Sequence, residues 1–431
     1  MNILKEKGIP LEKQVKSWHD IVKRPYNRDF VDNYTRTRQI LMNGIEVEAW
    51  SFKHSWVRKF DDLELKKMLV SIRRVEDMQQ TTMNWLTPYK QSVLDTTLGY
   101  EQVAVDLTAW LAQNEPDSYV KETFNFGLLE DFDHLYRYCQ FANLLEETNP
   151  NEILHNNTDI LLARPTQYHH NCNAIRLRKP YNKEQTSIKT KINILTLICA
   201  EQQTHNFYAE HGFMYGNTDL KRLYAEICDV EEEHVTMYES LVDSNESWFE
   251  KWLLHEFCEA CCYYNCYKDE TDLRIKQIFE EMFMMEVEHT KIAANIFEKN
   301  EKRDASEIIG IELLEPCHFE SQKDYVEKII KKETNKRLDK EGKFNIVENL
   351  EDNWASYAIQ KATNEKGAPS EQAINLAINS YSRDIACAED DLLNSQNELL
   401  QKSLEKYQAP NTISPQIYKD FEKIDSKIYL Y

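Results

Sequence analysis

Between residues 190 and 300, carboxylates and histidines recur at spacings that could build a metal site. LICAEQQTHNFYAEHG carries Glu201, and LYAEICDVEEEHVTMYESL carries Glu231 and His234. LLHEFCEACCYY carries Glu256, and FMMEVEHTKIAANIF carries Glu286 and His289. Glu256, Glu286 and His289 each lie 55 residues after Glu201, Glu231 and His234, so one unit has been copied onto the next. Residues three apart on a helix share a face, which lets each Glu-x-x-His pair present an oxygen and an imidazole together. Carboxylates with one imidazole per ion suit iron or manganese, whereas thiolates would suit zinc or copper(I). Two divalent ions would balance four carboxylates, which are very costly to bury bare.

The same ruler runs through the first half as Glu46, Glu76, Gln79, Glu101, Asp131 and His134, each 155 residues before its counterpart. At the composition of this chain, four carboxylates and two histidines fall on six preset positions with a probability on the order of one in a million. Flanking residues agree in places, as in LKKMLVSIRRVEDMQ beside LKRLYAEICDVEEEH. The chain therefore reads as a tandem duplication of a duplicated hairpin. Gln79 replaces a histidine, and Asp131 is one methylene shorter than glutamate. The first-half cluster is thus open to three readings: a weakened metal site, a metal-free polar core, or a substrate or partner surface.

The elements that must position these groups are helices. Gly and Pro total 20 of 431 residues, well below the roughly 12 % of average usage, so the turn punctuation of sandwiches, barrels and Rossmann folds is missing. Polar breaks fall midway between paired anchors: Asp61 and Asp62, Pro116, Gly216 and Asn217, and the KDETD stretch around residue 271. Antiparallel helices folded at these points bring their anchors to one height. Apolar Leu223, Ile227, Val230 and Val235, like Ile278, Met282 and Met285, mark the anchor face as an interior one.

The second half resembles the ferritin-like, rubrerythrin-type di-iron carboxylate proteins, in which two helices each supply a Glu and two each supply Glu-x-x-His. The first half resembles a degenerate copy. The resemblance implies an all-α chain with a degenerate four-helix bundle over 33–148, a linker over 149–188, a bundle with a di-metal site over 189–300, and a helical C-terminal extension over 301–431. It implies two iron ions, or manganese, with Glu231 and Glu286 bridging, Glu201 and Glu256 terminal, His234 and His289 binding one ion each, and Glu259 as an extra carboxylate. Tyr208 and Tyr263, seven residues after Glu201 and Glu256, would place hydroxyl donors behind the ligands. Only 25 residues separate Glu231 from Glu256, too few for the family's long crossover, so a plain up-down-up-down bundle is expected. The rubredoxin-like domain with its two CxxC knuckles is absent, so an external electron donor is expected. Such a protein would be an oxidoreductase reacting with O2 or H2O2, as in oxidative-stress defence. The alternatives are an oxygenase on an organic substrate and an iron-binding protein without turnover.

A net charge of −21 and a pI near 5.1 disfavour nucleic acid and anionic membrane as partners. The opening MNILKEKGIPLEKQ has no apolar run of signal-peptide length, and no stretch approaches 18 apolar residues, so a cytoplasmic protein is expected. Cys258 and Cys261 read as reduced, buried residues at a helix crossing, with a redox pair as the alternative. His169 and His170 read as a surface loop, and His205, four residues after Glu201, as a packing residue. Helical segments are expected at about 320–338, 345–362, 369–408 and 414–426, and they could form a homodimer interface, a cap or a cover.

Overall fold

The computed structural model describes residues 1–155, 157–158, 173–314, 318–333, 336–346, 349–351, 353–373 and 375. Eight long helices dominate them. They are α1 (Thr35–Lys59), α2 (Leu63–Asn84), α3 (Val93–Asn114), α4 (Ser118–Glu146), α5 (Ile188–His211), α6 (Thr218–Glu239), α7 (Trp248–Asp269) and α8 (Leu273–Glu301). The described part of the chain is thus all-α in character. Side-chain oxygens of Asp62, Ser92, Asp117, Ser187, Asn217, Ser247 and Asp272 accept first-turn amides of α2 to α8. These caps satisfy N–H groups that a helix start leaves open.

Breaks at 60–62, 115–117, 212–217 and 270–272 fold the helices into the antiparallel hairpins α1–α2, α3–α4, α5–α6 and α7–α8. Each break contains or adjoins a midpoint read from the sequence. In α6, Leu220, Leu223, Ile227 and Val230 are fully buried with Glu231 and His234, so the apolar stripe and the ligand row share one inward face.

The hairpins associate in a nested order. The inner set, α3–α4 with α5–α6, meets across the connection 147–187. The outer set, α1–α2 with α7–α8, flanks it in the chain. This corrects the expectation of self-contained bundles over 33–148 and 189–300, because each half contributes one hairpin to each set. The correction has a physical reason: equal offsets show that hairpins are equivalent but not which of them face one another. Between the sets, α1 lies close on α5. A Cβ on Gly44 would stand 2.5 Å from Gln203 Cδ and 2.9 Å from the Cys199 carbonyl oxygen, an approach that glycine permits.

The N-terminal arm lies on α8, with the Ile9 amide donating to the Met284 carbonyl at 2.8 Å. Beyond α8 come α9 (Lys323–Glu333), β1 (Lys336–Leu338), β2 (Phe344–Ile346) and α10 (Ser356–Thr363). The strands pair antiparallel with Lys336 opposite Ile346, and Gly342 supplies a positive φ of 70° in the turn. This β-hairpin corrects the expectation of continuous helix over 320–338 and 345–362. The segment expected over 369–408 is helical at 369–373 and 375; its remainder, and the one at 414–426, lie outside the described residues. Among the described residues no helix is long and apolar enough to cross a membrane.

Candidate metal centres

The inner set brings together Glu101 from α3, Asp131 and His134 from α4, Glu201 from α5, and Glu231 and His234 from α6. All six are 0 % exposed. Asp131, Glu201, Glu231 and His234 offer ligand atoms within 4.8 Å of one another, and so do Glu101, His134 and Glu231. Glu231 belongs to both groups, so its carboxylate stands between two potential ion positions. His134 Nδ1 is 3.0 Å from Glu231 Oε1 and 3.9 Å from Glu101 Oε2. His234 Nδ1 is 3.3 Å from Asp131 Oδ1, 3.3 Å from Glu231 Oε2 and 3.6 Å from Glu201 Oε2.

Groups behind the site orient it. The far nitrogen of His234, Nε2, lies 3.0 Å from Glu130 Oε2, which leaves Nδ1 facing the carboxylates. Arg176 holds Glu130 through Nη1 and Nη2 at 2.7 and 3.0 Å, and its Nε donates to Glu233 at 2.7 Å. Across the set, the Tyr208 hydroxyl donates to Glu101 Oε1.

Electrostatic crowding is strong. Burial, then the charge of Glu231, raises Glu101 well above the ordinary carboxylate range. Burial, then Glu201, does the same to Asp131, and burial lifts Glu231 to about 8. His234 is raised despite its burial, because Glu201 and the other carboxylates favour the imidazolium. Both oxygens of Asp131 and Glu201, Oε2 of Glu101 and Glu231, and Nδ1 of His234 have no hydrogen-bond partner among the described residues. Buried acceptors normally have partners, so these inward atoms fit cation ligands. These buried carboxylate and histidine groups could hold a metal ion.

The outer set assembles Glu46 from α1, Glu76 and Gln79 from α2, Glu256 and Glu259 from α7, and Glu286 and His289 from α8. Glu76, Glu256 and His289 form one potential ligand group, and Glu46, Glu259 and Glu286 form another. His289 Nδ1 is 3.0 Å from Glu286 Oε2 and 3.7 Å from Glu256 Oε2, and its Nε2 lies 2.6 Å from Gln14 Oε1. The Tyr263 hydroxyl donates to Glu46 at 2.6 Å. Burial raises Glu76 to about 7, and the carboxylates, above all Glu286, overcome burial to raise His289 to about 9.

The six residues Glu201, Glu231, His234, Glu256, Glu286 and His289 therefore do not form one site. The first three face Glu101, Asp131 and His134; the last three face Glu46, Glu76 and Gln79. Tyr208 and Tyr263 each reach the hairpin opposite their own, and Glu259 joins the outer group. His205 is turned to α6, with Nδ1 3.0 Å from the Cys228 carbonyl oxygen. Cys258, Cys261 and Cys262 are buried and free of disulfides, and Cys258 lies 3.5 Å from Thr196 Oγ1. His169 and His170 lie outside the described residues.

Sequence reasoning missed Lys53, Arg176, Glu130 and Gln14. Lys53 was findable, since it stands seven residues after Glu46 as Tyr208 stands after Glu201. Arg176 carried no signal, because the four-residue helix Asn173–Arg176 is too short to show a periodicity that would betray its partners. No protein-family model matches the chain, and no curated protein or solved structure matches it.

Proposed function

We propose that the chain is a ferritin-like metalloprotein, built by tandem duplication, whose dinuclear iron or manganese centre lies in the inner set. The supporting observation is the convergence of two glutamates and two carboxylate-x-x-His pairs from four helices, with both oxygens of Asp131 and Glu201, Oε2 of Glu101 and Glu231, and Nδ1 of His234 without a hydrogen-bond partner among the described residues. The long connection 147–187 between the second and third inner helices also agrees with the crossover expected of that family. Four carboxylates balance two divalent ions, and the oxygen-rich donor set with two imidazoles suits iron or manganese.

In this reading Asp131, Glu201, Glu231 and His234 would hold one ion, and Glu101, His134 and Glu231 the other. A reduced metal pair held there would make electrons available to O2 or H2O2, with re-reduction depending on an external donor. The protein's part is to hold the ligands. Glu130, fixed by Arg176, sets the His234 ring; Tyr208 sets Glu101; the apolar faces exclude water, which strengthens every charge interaction inside. No cage for storage is part of this reading, which needs two ions per chain.

The test is elemental analysis of the purified chain, followed by anaerobic loading with ferrous ion and optical spectroscopy as O2 or H2O2 is added. About two ions per chain and an oxidation faster than that of free ferrous ion are expected. A metal-free chain that cannot be loaded would refute the reading. Bound iron oxidised no faster than free iron would leave a binding protein without turnover, and oxidation that proceeds only with an organic co-substrate would make the chain an oxygenase.

A further inference from the structure

The outer cluster matches the inner one at most of its positions, but Glu76 stands where the inner set has Asp131 and Glu259 where it has Thr204, and two further residues change its chemistry. The first is Lys53. Seven residues after Glu201 and Glu256 stand tyrosines, and each sends its hydroxyl across the set to the opposing glutamate, Tyr208 to Glu101 and Tyr263 to Glu46. Seven residues after Glu46 stands a lysine. Lys53 is 0 % exposed. Its Nζ lies 2.8 Å from Glu256 Oε1 and 3.9 Å from Glu259 Oε1, and it forms a close ion pair with Glu76. Glu76 and Glu256 are two of the three members of the Glu76, Glu256, His289 group. The ammonium therefore sets a positive charge against one oxygen each of Glu76 and Glu256, where a metal ion at that position would have to stand.

The second substitution is Gln79, at the position of His134. Its Nε2 donates to Glu286 Oε1 at 2.6 Å. Turning the amide over would set its oxygen against a carboxylate oxygen, so the donating orientation is the one the pair permits. At this second position an imidazole lone pair has thus been exchanged for an N–H that consumes the carboxylate. An ion placed there would lose one ligand and meet a donor.

A lysine ammonium buried this deeply is destabilising unless its charge is matched. Here the match is made by Glu76 and Glu256, with Glu259 at 3.9 Å. We infer that Lys53 is the resident cation of the outer set: its ammonium takes the place of a metal ion among Glu76, Glu256 and Glu259, so that this set excludes divalent metal and the chain carries a single dinuclear centre. The stoichiometry in this statement rests on the proposed inner centre, but the exclusion of metal from the outer set does not.

The experiment is metal content of the full-length chain after anaerobic reconstitution with ferrous or manganous ion, with folding checked by circular dichroism. Four proteins are compared: the wild type, the inner-site variant Glu231→Ala/His234→Ala, the outer variant Lys53→Tyr/Gln79→His, and the combination of all four substitutions. The expected result is about two ions per wild-type chain, none in the inner-site variant, about four in the outer variant and about two in the combination. Metal retained by the inner-site variant overturns the inference, and that measurement decides even where the outer variant does not fold. A folded outer variant that takes up no additional metal also overturns it. A wild type free of metal refutes the inner-site proposal alone, and the inference then stands or falls on whether the outer variant gains about two ions.

Discussion

At the residue scale, charged groups that are redundant in the unfolded chain become interdependent once buried. Arg176 is fully buried between Glu130 and Glu233, and burial alone would raise Glu130, yet Arg176 holds it well below the ordinary carboxylate range. Arg176→Met should cost about 3–5 kcal/mol in chemical denaturation, because it leaves two buried carboxylates without their cation. In protein that still folds, it should also weaken metal binding by about 10–100-fold, because His234 loses its fixed orientation. Unchanged affinity would mean that His234 is oriented by other contacts. Proton linkage gives a further expectation for metal-free protein. Burial holds Glu231 at about 8 against an ordinary 4.5, so between these values the folded chain binds more protons than the unfolded one. Stability of the metal-free chain should therefore fall as pH rises from 4.5 to 8. His289, raised to about 9 from 6.5, acts in the same direction: its stabilisation is complete below 6.5 and lost as pH climbs through 9. Metal binding, which displaces protons, should tighten over that range. Melting curves with and without added metal would check both slopes, and a metal-free chain that gains stability from pH 5 to 8 would contradict the first.

At the element scale, turns were more legible in the sequence than contacts. Midpoints between anchors located the four hairpin breaks because antiparallel helices of equal rise must turn halfway, and Asp62, Asp117, Asn217 and Asp272 cap the helices that follow. Which hairpins pair was not legible. Offsets of 55 and 155 are satisfied by any pairing, and the deciding feature, the connection 147–187, has no repeat. The β-hairpin at 336–346 escaped notice because three-residue strands are too short to show an alternation. The α1–α5 contact yields an element-level test. Gly44→Ala would set a methyl 2.9 Å from the Cys199 carbonyl oxygen, forcing two helices apart, with an expected loss of about 1–3 kcal/mol by urea denaturation. A neutral effect would show that the contact between these helices gives way at little cost.

At the scale of the whole molecule, the chain buries two acidic clusters and handles them differently. Among the described residues no lysine or arginine pairs with the ligand carboxylates of the inner set, whereas in the outer set the Lys53 ammonium pairs with Glu76 and Glu256 and the Gln79 amide donates to Glu286. Lys53→Met should consequently destabilise the chain by about 3–5 kcal/mol, since it removes the cation of a buried network; thermal unfolding of the variant beside the wild type measures it. The chemistry of the carboxylate and histidine ligands was readable from sequence, and so was their helical setting. Their grouping was not, since Glu201 and Glu256 look alike along the chain and part company only when the helices pack.

The measurement that bears most directly on the inner centre is metal content of two double variants prepared side by side. Asp131→Ala/His134→Ala removes ligands that only the inner set uses, and Glu286→Ala/His289→Ala removes the carboxylate-x-x-His pair of the outer set. Loss of metal from the first and about two ions per chain in the second is the expected result. Metal kept by the first and lost by the second would contradict the assignment of the centre to α3, α4, α5 and α6.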